Sequence, residues 1–256
     1  MRTGPNIRNW SLAQRTFRGA AMLALVIALG SFAAHADTTV TVNATGDIWL
    51  AGQPGGTTVT GYFGSDTAPA NSPVGISVTG GQILTFSATG STSVDASCFA
   101  GPDGGCYADQ SGFSPAPASA AYNGPADALI GVFLNSSAVP LPINGSGVPT
   151  GFVAGLDYQT GGNANEGLSA YSPTLDQIFF IGDGLTGTGT GTVQQFTVPT
   201  GAATLYLGVA DSVGSSVGNS GSITADVTPV PEPSSVLLFG TGLAGLVGAI
   251  RRKMRL

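Results

Sequence analysis

Short stretches in which apolar and polar residues alternate constrain the fold of this chain more than any other feature. Eight such stretches, rich in Val, Ile, Thr and aromatic residues, lie between residues 38 and 227. This period of two is typical of strands with one buried face and one exposed face. Gly- and Pro-containing turns separate the stretches, and residues 37–228 contain no helical pattern. The predicted strands are residues 38–42, 74–78, 82–88, 128–133, 177–181, 193–198, 204–209 and 222–227.

Many short strands joined by Gly/Pro turns predict an all-β fold, and we expect an antiparallel β-sandwich of the jelly-roll type. Residues 46–49 are a candidate additional edge strand. The Thr-Gly repeat of residues 186–192 predicts a flexible turn that leads into a strand. Residues 97–125 and 135–174 are long for plain connections, so they are either functional loops or loosely ordered segments.

The first 36 residues contain the three parts of a secretory signal peptide. These parts are a basic segment, an apolar segment and a cleavage site with small residues. The apolar segment is residues 20–29, and Ala34 and Ala36 form the cleavage site. We therefore predict a signal helix, export by the Sec route, cleavage by signal peptidase and a mature chain that starts at Asp37. An uncleaved amino-terminal anchor is the alternative. The basic segment holds Arg2, Arg8, Arg15 and Arg18.

The carboxyl end combines a Pro-bracketed motif, an apolar run and a basic terminus. The apolar run, residues 236–250, spans about 22 Å as a helix, somewhat short of a hydrocarbon core of ~30 Å. Flanking basic side chains can reach the interface, so we predict a transmembrane helix with its basic end in the cytoplasm. A buried core helix is the alternative. The motif is Pro231-Glu232-Pro233, and the basic residues are Arg251, Arg252, Lys253 and Arg255.

Residues 230–256 resemble the PEP-CTERM sorting domain, which has these three parts in this order. The resemblance implies a bacterial envelope protein whose precursor is anchored in the inner membrane. An exosortase-type membrane protease would cut it near Pro231–Pro233 and release it to the cell surface or extracellular matrix. The family is associated with exopolysaccharide and biofilm. The same tail is also known as an ice-binding-protein C-terminal domain, a name that describes the tail alone.

The positive charges of the chain are confined to its two terminal segments. No Lys, Arg or His lies between residues 37 and 250, although the chain holds 8 Lys and Arg and 14 Asp and Glu. Binding to nucleic acid requires cations that neutralise phosphates. Ser-His-Asp and Cys-His nucleophiles and His-based zinc sites require His. These classes are therefore excluded, and we expect a non-enzymatic protein with no nucleic-acid partner.

We divide the chain into a signal peptide (1–36), a β-sandwich outer domain (37–228) and a sorting tail (229–256). Cys98 and Cys106 enclose seven residues in an exported domain, a spacing that predicts a disulfide. Two free thiols are the alternative. Asp103 and Asp109 in and beside this loop are candidate calcium ligands, although the first reading of Pro-Asp-Gly-Gly is a turn.

The segment from Asp211 to Asn219 is the best candidate binding site. A predicted strand leads to Asp211, a seven-residue loop follows, and Asn219 begins the approach to the last strand. Carboxylate, amide and carbonyl oxygens are the ligands that Ca²⁺ prefers. The sequence therefore predicts a calcium site at this loop. The alternative is that both side chains only anchor the loop.

This segment resembles the calcium-dependent galactose-binding lectins of bacteria and related galactose-binding-like jelly rolls. The shared features are an apolar strand that ends in Asp, a Gly-containing loop, and Asn-Ser-Gly-Ser before a closing strand. The resemblance implies Asp211 and Asn219 as side-chain ligands, and Ser215 and Val94 as carbonyl donors. Gly218 stands where the family has another Asn, so one ligand of the family pattern is missing.

The leading hypothesis is an exported matrix protein that binds polysaccharide with the help of calcium. A purely structural or adhesive matrix protein without a specific ligand is the alternative. A polysaccharide-acting enzyme that uses Asp176 and Asp183 as acid and base is a distant third. Aromatic side chains could stack on sugar rings, although packing in the core or in loops is the favoured interpretation for most of them. The candidates are Trp49, Tyr62, Phe63, Phe99 and Tyr107.

Overall fold

The computed structural model describes residues 37–61, 63–105, 122, 124–136 and 166–230, with residues 240, 242, 245 and 251 in the tail. Residues Ala36–Val230 form one compact unit, and Met1–His35 and Pro231–Leu256 form a second. The predicted signal peptide, including Ala34 and Ala36, lies outside the described residues. So do the Pro231-Glu232-Pro233 motif and Arg252.

The described part of the compact unit 36–230 is all-β, which confirms that part of the predicted fold class. Its described part contains thirteen strands and two single-turn 3₁₀ helices, Ile48–Leu50 and Ser216–Gly218. The strands are β1 (Thr38–Asn43), β2 (Thr58–Thr60), β3 (Ser65–Thr67), β4 (Val74–Ser77), β5 (Ile83–Ser93), β6 (Leu129–Asn135), β7 (Ala170–Tyr171), β8 (Ile178–Phe180), β9 (Leu185–Gly187), β10 (Thr190–Val193), β11 (Gln195–Thr197), β12 (Ala202–Val209) and β13 (Ser220–Pro229).

Two main sheets organise these strands. One has five strands in the order β1-β13-β5-β11-β7, and the other has four in the order β4-β12-β6-β8. The pairs are antiparallel except for the short parallel pair of β11 and β7. The longest ladder joins β13 to β5, from Ser220 opposite Ser93 to Pro229 opposite Leu84. Two small hairpins, β2–β3 and β9–β10, lie outside the main sheets.

One apolar core lies between the two main sheets. The inward residues of β13 are Ile223, Ala225 and Val227, which alternate with more exposed residues as the pattern predicts. Rings from the two sheets meet where Phe179 of β8 and Phe196 of β11 have centroids 5.6 Å apart. Both side chains are completely buried. The sheets therefore form a sandwich around a shared core.

The predicted edge strand at residues 46–49 is wrong. Residues Ile48–Leu50 form a 3₁₀ helix, and all three side chains are buried. Asp47 causes this turn, because its Oδ1 accepts a hydrogen bond from the backbone N–H of Trp49 at 2.8 Å. An N-terminal cap of this kind satisfies a donor that a strand would have paired with a neighbour.

The Thr-Gly repeat is also more ordered than predicted, since it forms the hairpin of β9 and β10. Gly189 lies at the turn with a φ of 64°, a conformation that Gly adopts without strain. Its N–H donates to Oδ2 of Asp183 at 2.6 Å. The hairpin β2–β3 was not predicted, because its strands are three residues long and each buries only its central residue.

The predicted transmembrane helix, residues 236–250, lies mostly outside the described residues. The four tail residues that the structure describes, 240, 242, 245 and 251, are helical. Within the described part of the chain, no helix has the length and apolar character needed to cross a membrane.

Candidate calcium site

The loop between β12 and β13 brings the two predicted ligands together. β12 ends at Val209, and Asp211 follows it. The 3₁₀ turn Ser216–Gly218 then returns the chain to Asn219 and β13. Nδ2 of Asn219 donates a hydrogen bond to Oδ2 of Asp211 at 2.9 Å. Both side chains are buried, with exposed fractions of 7% and 9%.

The amide of Asn219 is held in one orientation by two acceptors. Besides Asp211, its Nδ2 donates to the backbone oxygen of Ala44 at 3.2 Å. The amide oxygen, Oδ1, is buried and accepts no hydrogen bond. Buried acceptors are normally satisfied. An unsatisfied oxygen beside a carboxylate is therefore an available ligand atom.

Asp127 lies next to this pair, although no sequence pattern singled it out. It lies just before β6, and its N–H donates to the backbone oxygen of Ala210 at 2.9 Å, which places it beside Asp211. Its side chain is fully buried, and neither carboxylate oxygen accepts a hydrogen bond of normal geometry. The only signal in the sequence was an Asp directly before a strong apolar strand.

Burial and neighbouring negative charges raise the pKa of both carboxylates, Asp127 and Asp211. Burial raises the pKa of Asp127 to about 7, and the negative charges of Asp211 and Asp95 add to the effect, while the nearby N–H of Val94 opposes it. Burial also raises the pKa of Asp211 to about 6. Hydrogen bonds from Asn219 and from the N–H of Ser212, at 2.6 Å, oppose that shift.

Ser215 and Val94, the predicted carbonyl donors, lie at the same end of the domain. Ser215 is buried within the loop, and its N–H donates to the oxygen of Ser212 at 3.1 Å. Val94 follows β5 and presents its N–H to Asp127. In the described part of the chain, no three His, Cys, Asp or Glu side chains form a group that could hold a metal. A cation here would therefore use amide and carbonyl oxygens beside the two carboxylates.

Two further carboxylates, those of Asp47 and Asp66, support the loop by hydrogen bonds to its backbone. Oδ2 of Asp47 accepts from the N–H of Gly214 at 3.1 Å, and Oδ2 of Asp66 accepts from the N–H of Ser216 at 2.7 Å. Both acids are almost completely buried. Burial raises the pKa of Asp47 well above its usual value, and the charge of Asp66 raises it further. The hairpin β2–β3 packs tightly here, since a Cβ on Gly61 would overlap the carbonyl oxygen of Val213.

The aromatic candidates differ in exposure. Trp49 is buried, and its Nε1 makes a long hydrogen bond of 3.5 Å to the backbone oxygen of Asp211. Trp49 therefore packs in the core, as the favoured interpretation for most of these aromatic residues predicts, and is not a sugar platform. Phe63 is 76% exposed and Phe99 is 56% exposed. Tyr62 and Tyr107 lie outside the described residues.

An exposed apolar edge borders the site. Val217, in the 3₁₀ turn of the loop, is 59% exposed. A Cβ on Gly64 would lie 3.8 Å from Cγ1 of Val217, so the turn that carries Phe63 contacts the loop. We call Phe63 and Val217 the apolar rim of the site.

The remaining predicted residues lie elsewhere. Asp103 accepts a hydrogen bond from the N–H of Asp183 at 2.8 Å, and burial raises its pKa. Asp176 and Asp183 are at opposite ends of β8. The N–H of Asp176 donates to the backbone oxygen of Phe133, near one end of the neighbouring strand β6, and the N–H of Gly182 donates to that of Leu129, at its other end. They do not form the carboxylate pair of the enzyme hypothesis.

Of the two cysteines that enclose the Cys loop, the structure describes Cys98. Cys98 is disulfide-bonded, and none of the described cysteines is free. Cys106 and Asp109 lie outside the described residues.

Comparison with known proteins identifies the carboxyl end. Residues 229–253 match the PEP-CTERM protein-sorting motif. A PEP-CTERM motif marks an exported protein that is sorted by an exosortase, a membrane protease, and is anchored in a membrane before processing. No curated protein matches the chain. Among solved structures, the chain is similar to one described as "EclA N-terminal domain; PllA-like lectin". The identity is 15%, the TM-score is 0.30, and the match covers 75% of this chain and 95% of that one.

Proposed function

We propose that residues 37–230 form a non-enzymatic, calcium-dependent carbohydrate-binding module that the PEP-CTERM tail directs to the cell surface or extracellular matrix. The observation that carries this proposal is the buried pair of Asp211 and Asn219, with an amide oxygen that accepts no hydrogen bond. We also propose that the sandwich is a jelly roll and that the protein acts in exopolysaccharide or biofilm.

Calcium is the cation that this site suits best. The available atoms are carboxylate, amide and carbonyl oxygens, and hard divalent cations prefer such ligands. The outer domain has no Lys, Arg or His that could neutralise its buried carboxylates. Two buried carboxylates without a counter-charge are costly. A bound divalent ion supplies that counter-charge.

A sugar is supported by the surface next to the site. The apolar rim of Phe63 and Val217 is exposed beside the loop that holds Asp211 and Asn219. Aromatic rings stack on the apolar faces of sugar rings, and carboxylates and amides accept or donate hydrogen bonds to sugar hydroxyls. The absence of cations between residues 37 and 250 favours a neutral glycan over a phosphorylated one, because phosphate recognition relies on Arg and Lys.

A glycan array in calcium and again in chelator tests this proposal. Residues 36–230 form one compact unit with its own core, so residues 37–230 can be tested alone. We expect binding in calcium, loss of binding in chelator, and loss of binding with Asp211→Ala. The matched control is Asp226→Ala, which removes an exposed carboxylate on β13. If the folded sample binds calcium but no glycan on the array, the structural or adhesive function is favoured instead.

Two further experiments test the other parts of the proposal. Incubation with the bound glycan should release no reducing sugar, and any release that depends on Asp176 or Asp183 would favour the enzyme. For sorting, we propose that residues 236–250 anchor the precursor and that cleavage occurs near Pro231-Glu232-Pro233. Replacement of these three residues with Ala in the full chain should leave the uncut precursor in the membrane. Unchanged processing would contradict that role.

A further inference from the structure

Asp127 combines complete burial with an unsatisfied carboxylate and a left-handed backbone conformation. Its side chain has an exposed fraction of 0%, and both carboxylate oxygens accept no hydrogen bond of normal geometry. Its φ of 67° lies in the left-handed region, which Asp and Asn tolerate better than other non-Gly residues. A buried, unsatisfied carboxylate in a left-handed conformation destabilises a fold. The fold therefore holds this group in place against a cost in stability.

The backbone explains how Asp127 is fixed at this position. Its N–H donates to Ala210, and its own carbonyl accepts from Oγ1 of Thr92 at 2.9 Å. The residue after it, Ala128, accepts from the N–H of Ala210 at 2.8 Å. Asp127 is thus clamped between the end of β5 and the residue that precedes Asp211. Its carboxylate lies close enough to that of Asp211 for the two charges to repel each other.

The loop alone provides too few side-chain ligands for calcium. Among its residues, Asp211 offers one carboxylate and Asn219 one amide oxygen, and Gly218 offers no side chain. Calcium takes six to eight oxygens, so a site built only from this loop would rely mostly on carbonyls and water. A second carboxylate from a neighbouring element would correct this shortage.

We propose that Asp127, just before β6, is a calcium ligand that completes the site of Asp211 and Asn219. This inference rests on the proposed calcium site and adds a residue to it. With Asp127, the site has two carboxylates, and their two negative charges would neutralise a bound Ca²⁺ ion. The ion would also join the end of β5, the start of β6 and the β12–β13 loop.

Isothermal titration with calcium tests the inference on residues 37–230 and their variants. Asp127→Asn is suitable because Asn keeps the shape and accepts the left-handed conformation. We expect Asp127→Asn to weaken calcium binding about tenfold or more. We also expect its melting temperature in chelator at neutral pH to rise, because an unsatisfied buried charge is removed. Asp226→Asn, which removes an exposed charge from β13, should bind calcium as the unchanged protein does.

The outcomes separate this inference from the proposed function. Unchanged calcium affinity in Asp127→Asn, together with loss of affinity in Asp211→Asn, would overturn the role of Asp127 and leave the proposed site intact. No calcium binding by the unchanged protein would overturn both. If Asp127→Asn does not fold, the ¹³C shift of the Asp127 carboxyl group during a calcium titration of the unchanged protein decides the matter. A shift that follows binding supports ligation, and a constant shift contradicts it.

Discussion

Asn219 joins the two ends of the β12–β13 loop, because its Nδ2 donates to Oδ2 of Asp211 across 2.9 Å. The same nitrogen donates to the backbone oxygen of Ala44 at the end of β1. One amide thus connects the start of β13, the end of β12 and the neighbouring edge strand. The contact fixes the loop and leaves the amide oxygen of Asn219 available to a cation.

Replacement of Asn219 with Ala should both destabilise the loop and remove a proposed calcium ligand. We expect a loss of about 1–3 kcal/mol in the free energy of unfolding in chelator, because two buried acceptors lose their donor. Calcium should also no longer raise the melting temperature. Calorimetry in calcium and in chelator measures both effects. The control is Ser222→Ala, two pairs along the same ladder from Ser220, and an Asn219→Ala protein that calcium stabilises as before would contradict the assignment.

Gly218→Asn should strengthen calcium binding by about tenfold, since extra oxygen ligands raise affinity. A Cβ at Gly218 would meet no atom within 4 Å, so the new side chain has space. Titration calorimetry gives the affinity directly. Gly101→Asn is the matched control, because its Cβ is equally unobstructed but lies outside the loop. Equal affinity in Gly218→Asn and the unchanged protein would indicate that residue 218 does not face the ion.

Stability in chelator should fall as the pH rises from about 4 to about 7. Burial raises the pKa of Asp127 and Glu166 to about 7 and that of Asp211 to about 6. In this range the folded protein holds more protons than the unfolded chain, whose carboxyls titrate near 4. The free energy of unfolding therefore decreases with pH, by an amount on the order of a few kcal/mol.

Melting temperatures in chelator between pH 4 and pH 8 measure this slope. Asp127→Asn and Glu166→Gln should each reduce it. Calcium binds the ionised carboxylates, so saturating calcium should reduce the part that comes from Asp127 and Asp211 and leave that of Glu166 in place. A melting temperature that rises steadily from pH 4 to pH 7 in chelator would refute this account.

Asp66→Ala should loosen the loop without touching any proposed ligand. Oδ2 of Asp66 accepts from the N–H of Ser216, and its removal leaves that buried donor unsatisfied. We expect a loss of about 1–3 kcal/mol in stability and faster hydrogen exchange at Gly214 and Ser216. Asp66→Asn is the informative control, because it keeps an acceptor while removing the charge beside Asp47. Unchanged exchange at both amides in Asp66→Ala would show that the pair does not support the loop.

Local patterns were sufficient for the strands that face the core. Residues 222–227 alternate between buried and exposed, and β13 follows this pattern along its ladder with β5. The pattern was insufficient where a buried polar group directs the chain. Asp47 caps the 3₁₀ helix Ile48–Leu50 where the pattern predicts a strand. Asp66 is the buried centre of β3, a position where the pattern of a strand predicts an apolar residue.

The sequence by itself determined the sorting tail, the all-β class and the two polar residues, Asp211 and Asn219, at the ends of the β12–β13 loop. These features are local, since they depend on composition, on alternation and on residues only eight positions apart. Only the tertiary structure decided that Asp127 joins Asp211, that Asp47 and Asp66 support the loop, and that Trp49 is internal. Strand pairing brings these residues together from distant parts of the chain. Burial then changes what their charges cost, and no local pattern encodes either effect.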